Sequence, residues 1–178
     1  MEKLELMMPT LEYENEILAF RQDFFTREGS MDGSGSLRKI EDVREWIGQV
    51  ERMKSKETVP EGLVPMTQFI YVRESDHKVV GVIQIRHELN DYLEKFSGHI
   101  GYSVCPSERR KGYATRMLHD ALLYCRTLGL NKVLIACLTE NEGSRRTILN
   151  NGGVYFETVH EPKRNIQLEK YWIDTGAL

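Results

Sequence analysis

The segment from Gly98 to Leu138 constrains the fold more than any other part of the chain. GHIGYSV is β-rich and is halted by Pro106. Residues 114–128 then place Ala114, Met117, Leu118, Ala121, Leu122, Cys125 and Leu128 on one helical face, with Arg116, His119, Asp120 and Arg126 off it. Gly129 is a natural helix stop. KVLIACL follows as an unbroken apolar run, the pattern of a strand buried on both faces. Strand, helix and strand in this order predict parallel neighbours joined by a crossover.

The flanking sequence fits around this unit. LELMMP reads as a short strand ended by Pro9, and Ile17, Phe20 and Phe24 form the stripe of a helix over 13–25. The glycines and serines at 29–36 cannot hold a helix, so that stretch is expected to be a mobile loop. Ile40, Val43, Trp46, Ile47 and Val50 recur at three and four, predicting a second amphipathic helix whose stripe is core. QFIYVRESDHKVVGVIQIR is a hairpin turning at Ser75-Asp76-His77. HELNDYLEKF gives at most one helical turn, SRRTILN gives a short helix closed by Gly152-Gly153, and VYFETVH and NIQLEKYWI are two final strands. The predicted order is β-α-α-β-β-β-α-β-α-β-β, an α/β (α+β) arrangement with a mixed, mostly antiparallel sheet and helices on both faces.

At 178 residues, 40% hydrophobic and 29% charged, the chain suits one globular domain with a sizeable core. A net charge of −3 lacks the dense basic surface that nucleic acid requires. No apolar run approaches the roughly 18 residues of a membrane span. The beginning, with Glu2 and Glu5, lacks a signal peptide's apolar centre. Cys105, Cys125 and Cys137 are odd in number and sit within apolar periodic segments, which suits small core residues in a reducing, cytoplasmic compartment. His87, His99 and the cysteines lack the paired spacing of a structural zinc site, so no metal is expected.

The chemistry concentrates in Val104-Cys-Pro-Ser-Glu-Arg-Arg-Lys-Gly-Tyr-Ala-Thr115, between a strand and the strongest helix. Unpaired amides and the helix dipole open such a helix to anions. Gly112 lets a phosphate approach the backbone, Ala114 and Thr115 keep the entrance open, and Arg109, Arg110 and Lys111 add charge. A diphosphate is the natural guest. The ATP-binding loop needs Gly-Lys followed by Ser or Thr, whereas here Lys111 precedes Gly112, and the three spaced glycines of a dinucleotide site are absent.

Arg109, Gly112 and Ala114 match the Arg/Gln-x-x-Gly-x-Gly/Ala signature of the GNAT acetyltransferases, and Asn141-Glu142-Gly143-Ser144 ahead of Gly152-Gly153 resembles that family's second motif. GHIGYSVCPSERRKGYA also looks like the motif strand and loop of a group of bacterial acetyltransferases. The likeness spans roughly 67–173, making 1–66 the acceptor-side strand and helices and 67–173 the cofactor core of a single domain over 1–178.

The resemblance implies an acetyl-CoA-dependent N-acetyltransferase that moves an acetyl group to a primary amine of a small molecule or peptide by direct attack, and members often form homodimers. It implies a slot between GYSV and VLIACL, opened where the motif strand splays, often at a bulge. Backbone groups of Ser103 and Val104 are expected on the pantetheine arm, amides around Arg110–Thr115, Tyr113 among them, on the pyrophosphate, and Asn141 and Ser144 along the arm. Arg145 or Arg146 is expected near the 3′-phosphate, with the Val104 N–H as donor to the thioester oxygen. Many members carry an acidic tyrosine where this chain has Ile148, which leaves Tyr102 and Tyr155 as substitutes. That gap keeps a non-catalytic coenzyme A sensor as the alternative reading. For the general base, Glu88 and His99 are the candidates, with His87 third. In this family the segment between the first helices often shapes the acceptor pocket, which offers residues 29–36 a lid role beside that of a flexible connector.

Overall fold

A computed structural model describes residues 2–27 and 29–178. In chain order the elements are β1 (Leu4–Met7), α1 (Glu14–Thr26), α2 (Val43–Arg52), β2 (Met66–Arg73), β3 (Lys78–Arg86), α3 (Asp91–Phe96), β4 (Ile100–Val104), α4 (Tyr113–Thr127), β5 (Lys132–Leu138), α5 (Glu142–Asn150), β6 (Val154–Glu161) and β7 (Ile166–Asp174). The order matches the expected one, with the short α3 added where HELNDYLEKF left only a turn.

The α/β class and the mostly antiparallel pairing are as expected, but the sheet is not continuous and the expected parallel ladder is not formed. The sheet is split into β1-β2-β3-β4 and β5-β7-β6, and every laddered pair is antiparallel. Strands β4 and β5, the pair predicted to lie side by side, form no ladder, and an isolated bridge joins Gly98, just before β4, to Ile135. No bulge opens them, because the β3–β4 register runs unbroken from Gly81–Val104 to Ile85–Ile100.

Strand β2 is apolar along most of its length because helices cover both of its faces. Phe69 and Tyr71 join the core beneath α4, and Ile70 and Val72 join the core beneath α1 and α2. Helix α4 buries Met117, Leu118, Ala121, Leu122 and Cys125 completely, at i, i+1, i+4, i+5 and i+8, so its inner face is one continuous stripe. Truncating Leu122 to Ala would cost about 2–5 kcal/mol. The helix stops at Gly129, whose φ of 76° makes the left-handed turn that lets Leu130 N–H return to Cys125 O. Helix α2 starts where the Asp42 carboxylate accepts the Arg44 and Glu45 amides. No helix among the described residues is long and apolar enough to cross a membrane.

Candidate active site

The two sheets are pinned at one point and part beyond it. His99 N–H donates to Leu134 O at 2.7 Å, and Leu134 N–H donates to His99 Nδ1 at 3.0 Å. The His99 carbonyl is unavailable to β5 because it accepts Arg86 N–H at 2.8 Å. The imidazole therefore serves as the acceptor a strand would normally present, and the ladder ends there. Burial pushes the His99 ring down to about 4. It is neutral, with its Nδ1 lone pair occupied, so His99 is a structural pin and not the expected base.

Past the pin, residues 100–104 and 136–138 line a cavity of about 750 Å³. Its polar lining follows from the ladder. Arg86–His99 and Val80–Cys105 are hydrogen-bonded across β3 and β4, and pairing alternates along an antiparallel ladder. Gly101 and Ser103 therefore turn their backbone groups to β3, while Tyr102 and Val104 turn theirs into the slot. Of the two residues expected on the arm, Val104 turns its N–H to the slot and Ser103 turns its backbone to β3, so the other strand residue with slot-facing backbone is Tyr102. Ser103 faces the cavity by another route. Its Oγ is the one buried side-chain polar atom without a hydrogen-bond partner among the described residues. An orphan of this kind in a lined slot calls for a polar guest.

At the start of α4 lies the anion cradle. Arg110 has φ 67° and Gly112 φ 80°, and alternating left-handed residues turn successive amides toward one concavity. Helix α4 opens at Gly112 with no side-chain cap, so its first amides are free. A Cβ at Gly112 would meet nothing within 4 Å, which leaves the space in front of those amides open. Arg109, Arg110, Tyr113, Ala114 and Thr115 all line the slot. Tyr113 does so at the helix entrance, since its ring is buried and its hydroxyl donates to Glu2 at 2.5 Å.

Lys111 departs from expectation. Its Nζ lies 2.7 Å from Glu108, whose carboxylate also takes Arg73 and Lys78. Burial works to raise the Glu108 carboxyl, but the bonds from Lys111, Lys78 and Arg73 outweigh it and hold it at about 2. The Lys111 ammonium is thus neutralised, whereas Arg109 and Arg110 make no salt bridge among the described residues.

Helix α5 forms the opposite rim. Asn141 Oδ1 caps it by accepting Ser144 N–H at 3.0 Å, and both residues line the slot. Ser144 Oγ lies 2.7 Å from the Tyr102 hydroxyl, a link that spans the slot from β4 to α5. Burial pushes the Tyr102 phenol up to about 12 despite the bond to Ser144. Ile148 is fully buried in the core. Arg146 lines the cavity, whereas Arg145 is turned to Glu169 and Glu142.

A sequence profile described as an acetyltransferase (GNAT) domain matches residues 3–154. The chain belongs to the GNAT acetyltransferase family. Its enzyme class is accordingly that of an N-acetyltransferase. Among solved structures it is similar to the ribosomal-protein-S5-alanine acetyltransferase of Vibrio fischeri, at 14% identity over 98% of this chain and 94% of that one, with a TM-score of 0.73. It is also similar to the microcin C7 self-immunity acetyltransferase MccE in complex with acetyl-CoA and AMP, at 15% identity over 97% and 92%, TM-score 0.69. RimJ of Mycobacterium smegmatis, in complex with CoA-disulfide, is 18% identical over 98% and 83%, TM-score 0.69. At such identities these likenesses establish the fold. No curated protein matches the chain in sequence.

Three further residues expected at the site of this GNAT domain lie away from the slot. Glu88 is not on the slot; it pairs with Lys56 at 2.6 Å. Tyr155, on β6, bonds Thr158 and is likewise outside. His87 is held by the Thr67 hydroxyl at 2.7 Å, away from the lining.

Residues 29–36 are neither a plain connector nor loosely held where they meet the sheet. Ser34 is buried, Trp46 Nε1 donates to Ser34 O at 3.0 Å, and Gln68 Nε2 donates to Gly33 O at 2.7 Å. Gly33 lies so close to β4 that a Cβ there would overlap the Gly101 carbonyl. The glycines therefore permit close packing, and Gly29, Ser30, Asp32 and Gly33 become one wall of the slot. Asp32 and Arg86 are among the charged lining residues that sequence reasoning missed. Their only sequence signal was position, one within a Gly/Ser loop and the other at the end of a strand.

Proposed function

We propose that this single domain, residues 1–178, transfers an acetyl group from acetyl-CoA to a primary amine, with 67–173 holding the cofactor and 1–66 supplying the acceptor side. The observation that carries the reading is continuity. The inward amides of Tyr102 and Val104 run along the slot toward the uncapped start of α4, so one extended thiol arm and one diphosphate are accommodated together. The orphaned Ser103 hydroxyl and the open space before Gly112 fit such a guest. MccE and RimJ, both similar in fold, hold acetyl-CoA and a CoA disulfide respectively, which supports the choice.

When bound, acetyl-CoA supplies an activated acyl carbon and a leaving thiol. The Val104 N–H, fixed by the β3 ladder, donates to the acyl oxygen as charge grows there, a contribution of about 3–4 kcal/mol for one well-placed donor. Asp32 accepts the amine proton. Of the carboxylates that line the slot it is the one without a Lys or Arg partner, since Glu108 is fully engaged. Tyr102 donates a hydrogen bond to the departing sulfur. A phenol near 12 does not surrender its proton to a thiolate whose conjugate acid lies near ~8.5, so the hydroxyl stabilises and solvent protonates.

The test is binding followed by turnover. Acetyl-CoA at 100 times its Kd should stabilise the native state by about 2.7 kcal/mol. Gly112→Glu, which sets a carboxylate before the free amides, should abolish that shift. A shift left intact by Gly112→Glu would remove the cradle from the site, and absence of acetyl-CoA-dependent thiol release with every amine would reduce the protein to a coenzyme A sensor.

A further inference from the structure

The slot wall formed by residues 29–33 and the end of β3 carries a cation, Arg86, and an anion, Asp32, that are not joined to each other. Arg86 Nη1 donates to Gly98 O at 3.0 Å, which uses one of five guanidinium donors. No carboxylate among the described residues lies within salt-bridge distance of it. Burial works against its charge and pushes it below the usual guanidinium range, while Asp32 is near enough to favour that charge. A half-buried guanidinium facing a cavity is a ready partner for an anion that the functioning state supplies. Its Nη2 sits 3.8 Å from where a Cβ of Gly101 would stand, on the face of β4 that Gly33 covers. Asp32 adjoins Gly33, is exposed, and accepts only from the Ser30 hydroxyl, at 2.5 Å. Both side chains line the same cavity. Of the other lining cations, Arg109 and Arg110 belong to the turn before α4, Arg146 lies on α5, and Arg164 is paired with Glu161.

Resting on the reading above, we propose that the acceptor is a zwitterion of the amino-acid class, its carboxylate held by Arg86 and its amine facing Asp32. A guanidinium fork matches a carboxylate with two parallel bonds and so fixes the orientation of the neighbouring amine. The ammonium gives one proton to Asp32. The freed amine nitrogen then forms the C–N bond to the acyl carbon as the C–S bond breaks, and the electron pair passes to sulfur. The second amine proton leaves through solvent, and the thiolate takes up a proton there. The acetylated product keeps its carboxylate and loses its positive charge. Asp32 then has nothing to pair with, which favours release.

Matched triplets decide the matter: an amino acid, its carboxamide and its decarboxylated amine, across several side chains, with thiol release read at saturating acetyl-CoA. The acids should be turned over with kcat/KM on the order of 10- to 100-fold above their amides and amines. Arg86→Met should raise KM for the acids by at least ~10-fold and erase that preference, with acetyl-CoA affinity unchanged. Arg86→Gln, which retains a donor toward Gly98 O, should do the same and guards against simple misfolding. Equal turnover of amides and amines, or equal loss for all three classes in both variants, overturns the proposal. Acetyl-CoA binding with no acid accepted overturns the acceptor class alone, whereas failure of acetyl-CoA to bind overturns the cofactor site beneath it.

Discussion

The Leu134 amide donates to the imidazole of His99 at 3.0 Å, where a backbone carbonyl of β4 would otherwise be found. Because the true carbonyl of His99 is turned to Arg86, the strand can satisfy β5 only through its side chain, and only once. Each later residue of β4 lacks such a substitute. The slot therefore opens without a bulge, from the chemistry of one residue, and leaves the Tyr102 backbone groups and the Val104 N–H facing it, while the Val104 carbonyl accepts from Arg109 Nε.

This pin gives a pH dependence with a definite sign. The ring titrates near 6.5 when unfolded and at about 4 in the folded protein. Between those values the unfolded chain binds more protons, so stability is fully present above about 6.5 and is lost as pH falls toward 4. About 2 kcal/mol should disappear between pH 7 and pH 5. Urea unfolding at both pH values measures it. His99→Ala should flatten this segment of the profile and, by orphaning the Leu134 amide, cost about 1–3 kcal/mol at pH 7.

Tyr102 supplies a test of the leaving-group side. Its hydroxyl contacts Ser144 Oγ at 2.7 Å and faces the slot. Tyr102→Phe keeps the ring packing and removes one hydrogen bond to a developing anion, worth about 1.5–3 kcal/mol. Steady-state kinetics should give a kcat on the order of 10- to 100-fold lower, with the acetyl-CoA dissociation constant within a factor of about three. A variant with unchanged kcat would mean that the hydroxyl only braces α5.

The cradle was legible because it is local. Arg109 to Thr115 are consecutive, and a glycine before an apolar helix carries its meaning in the sequence itself. The stripes Ile17-Phe20-Phe24 and Met117-Leu118-Ala121-Leu122-Cys125 were legible for the same reason, since burial follows a fixed period. What escaped depends on partners far along the chain. Lys111 looked like part of a basic run until Arg73 and Lys78 from the hairpin shared Glu108 with it. His99 looked titratable until Leu134 took its lone pair. Gly33 looked mobile because glycine marks both flexibility and close approach, and only Gly101 decides between them.

That ambiguity at Gly33 can be resolved by substitution. The residue has φ 73°, and a Cβ would strike the Gly101 carbonyl. Gly33→Ala combines left-handed strain of about 1–2 kcal/mol with overpacking of about 1–3 kcal/mol. The local remedy is for residues 29–36 to lift from β4. Thermal unfolding should fall by several degrees, acetyl-CoA should still bind, and the acceptor KM should rise about tenfold or more. Gly62→Ala is the control: it shares the positive φ, at 82°, but meets nothing within 4 Å, so it should cost strain alone and leave KM unaltered.

Glu108 lets the electrostatics of the cradle be separated from its geometry. Its carboxylate, 5% exposed, gathers three cations and is held at about 2 against an ordinary 4.5. With the folded value depressed, its stabilisation is present above about 4.5 and fades as pH drops toward 2. Glu108→Gln leaves Arg73, Lys78 and Lys111 without their shared anion. Stability at pH 7 should fall by about 3 kcal/mol, the low end for a broken buried pair, because both lysines can swing to solvent. Lys111, once released, stands beside the free amides of α4 as a third mobile cation. Acetyl-CoA should therefore bind the variant no more weakly than the parent, with a steeper dependence on ionic strength, and calorimetry at two salt concentrations measures both. Weaker binding would mean that Glu108 shapes the Arg109–Gly112 turn itself, beyond balancing its charge.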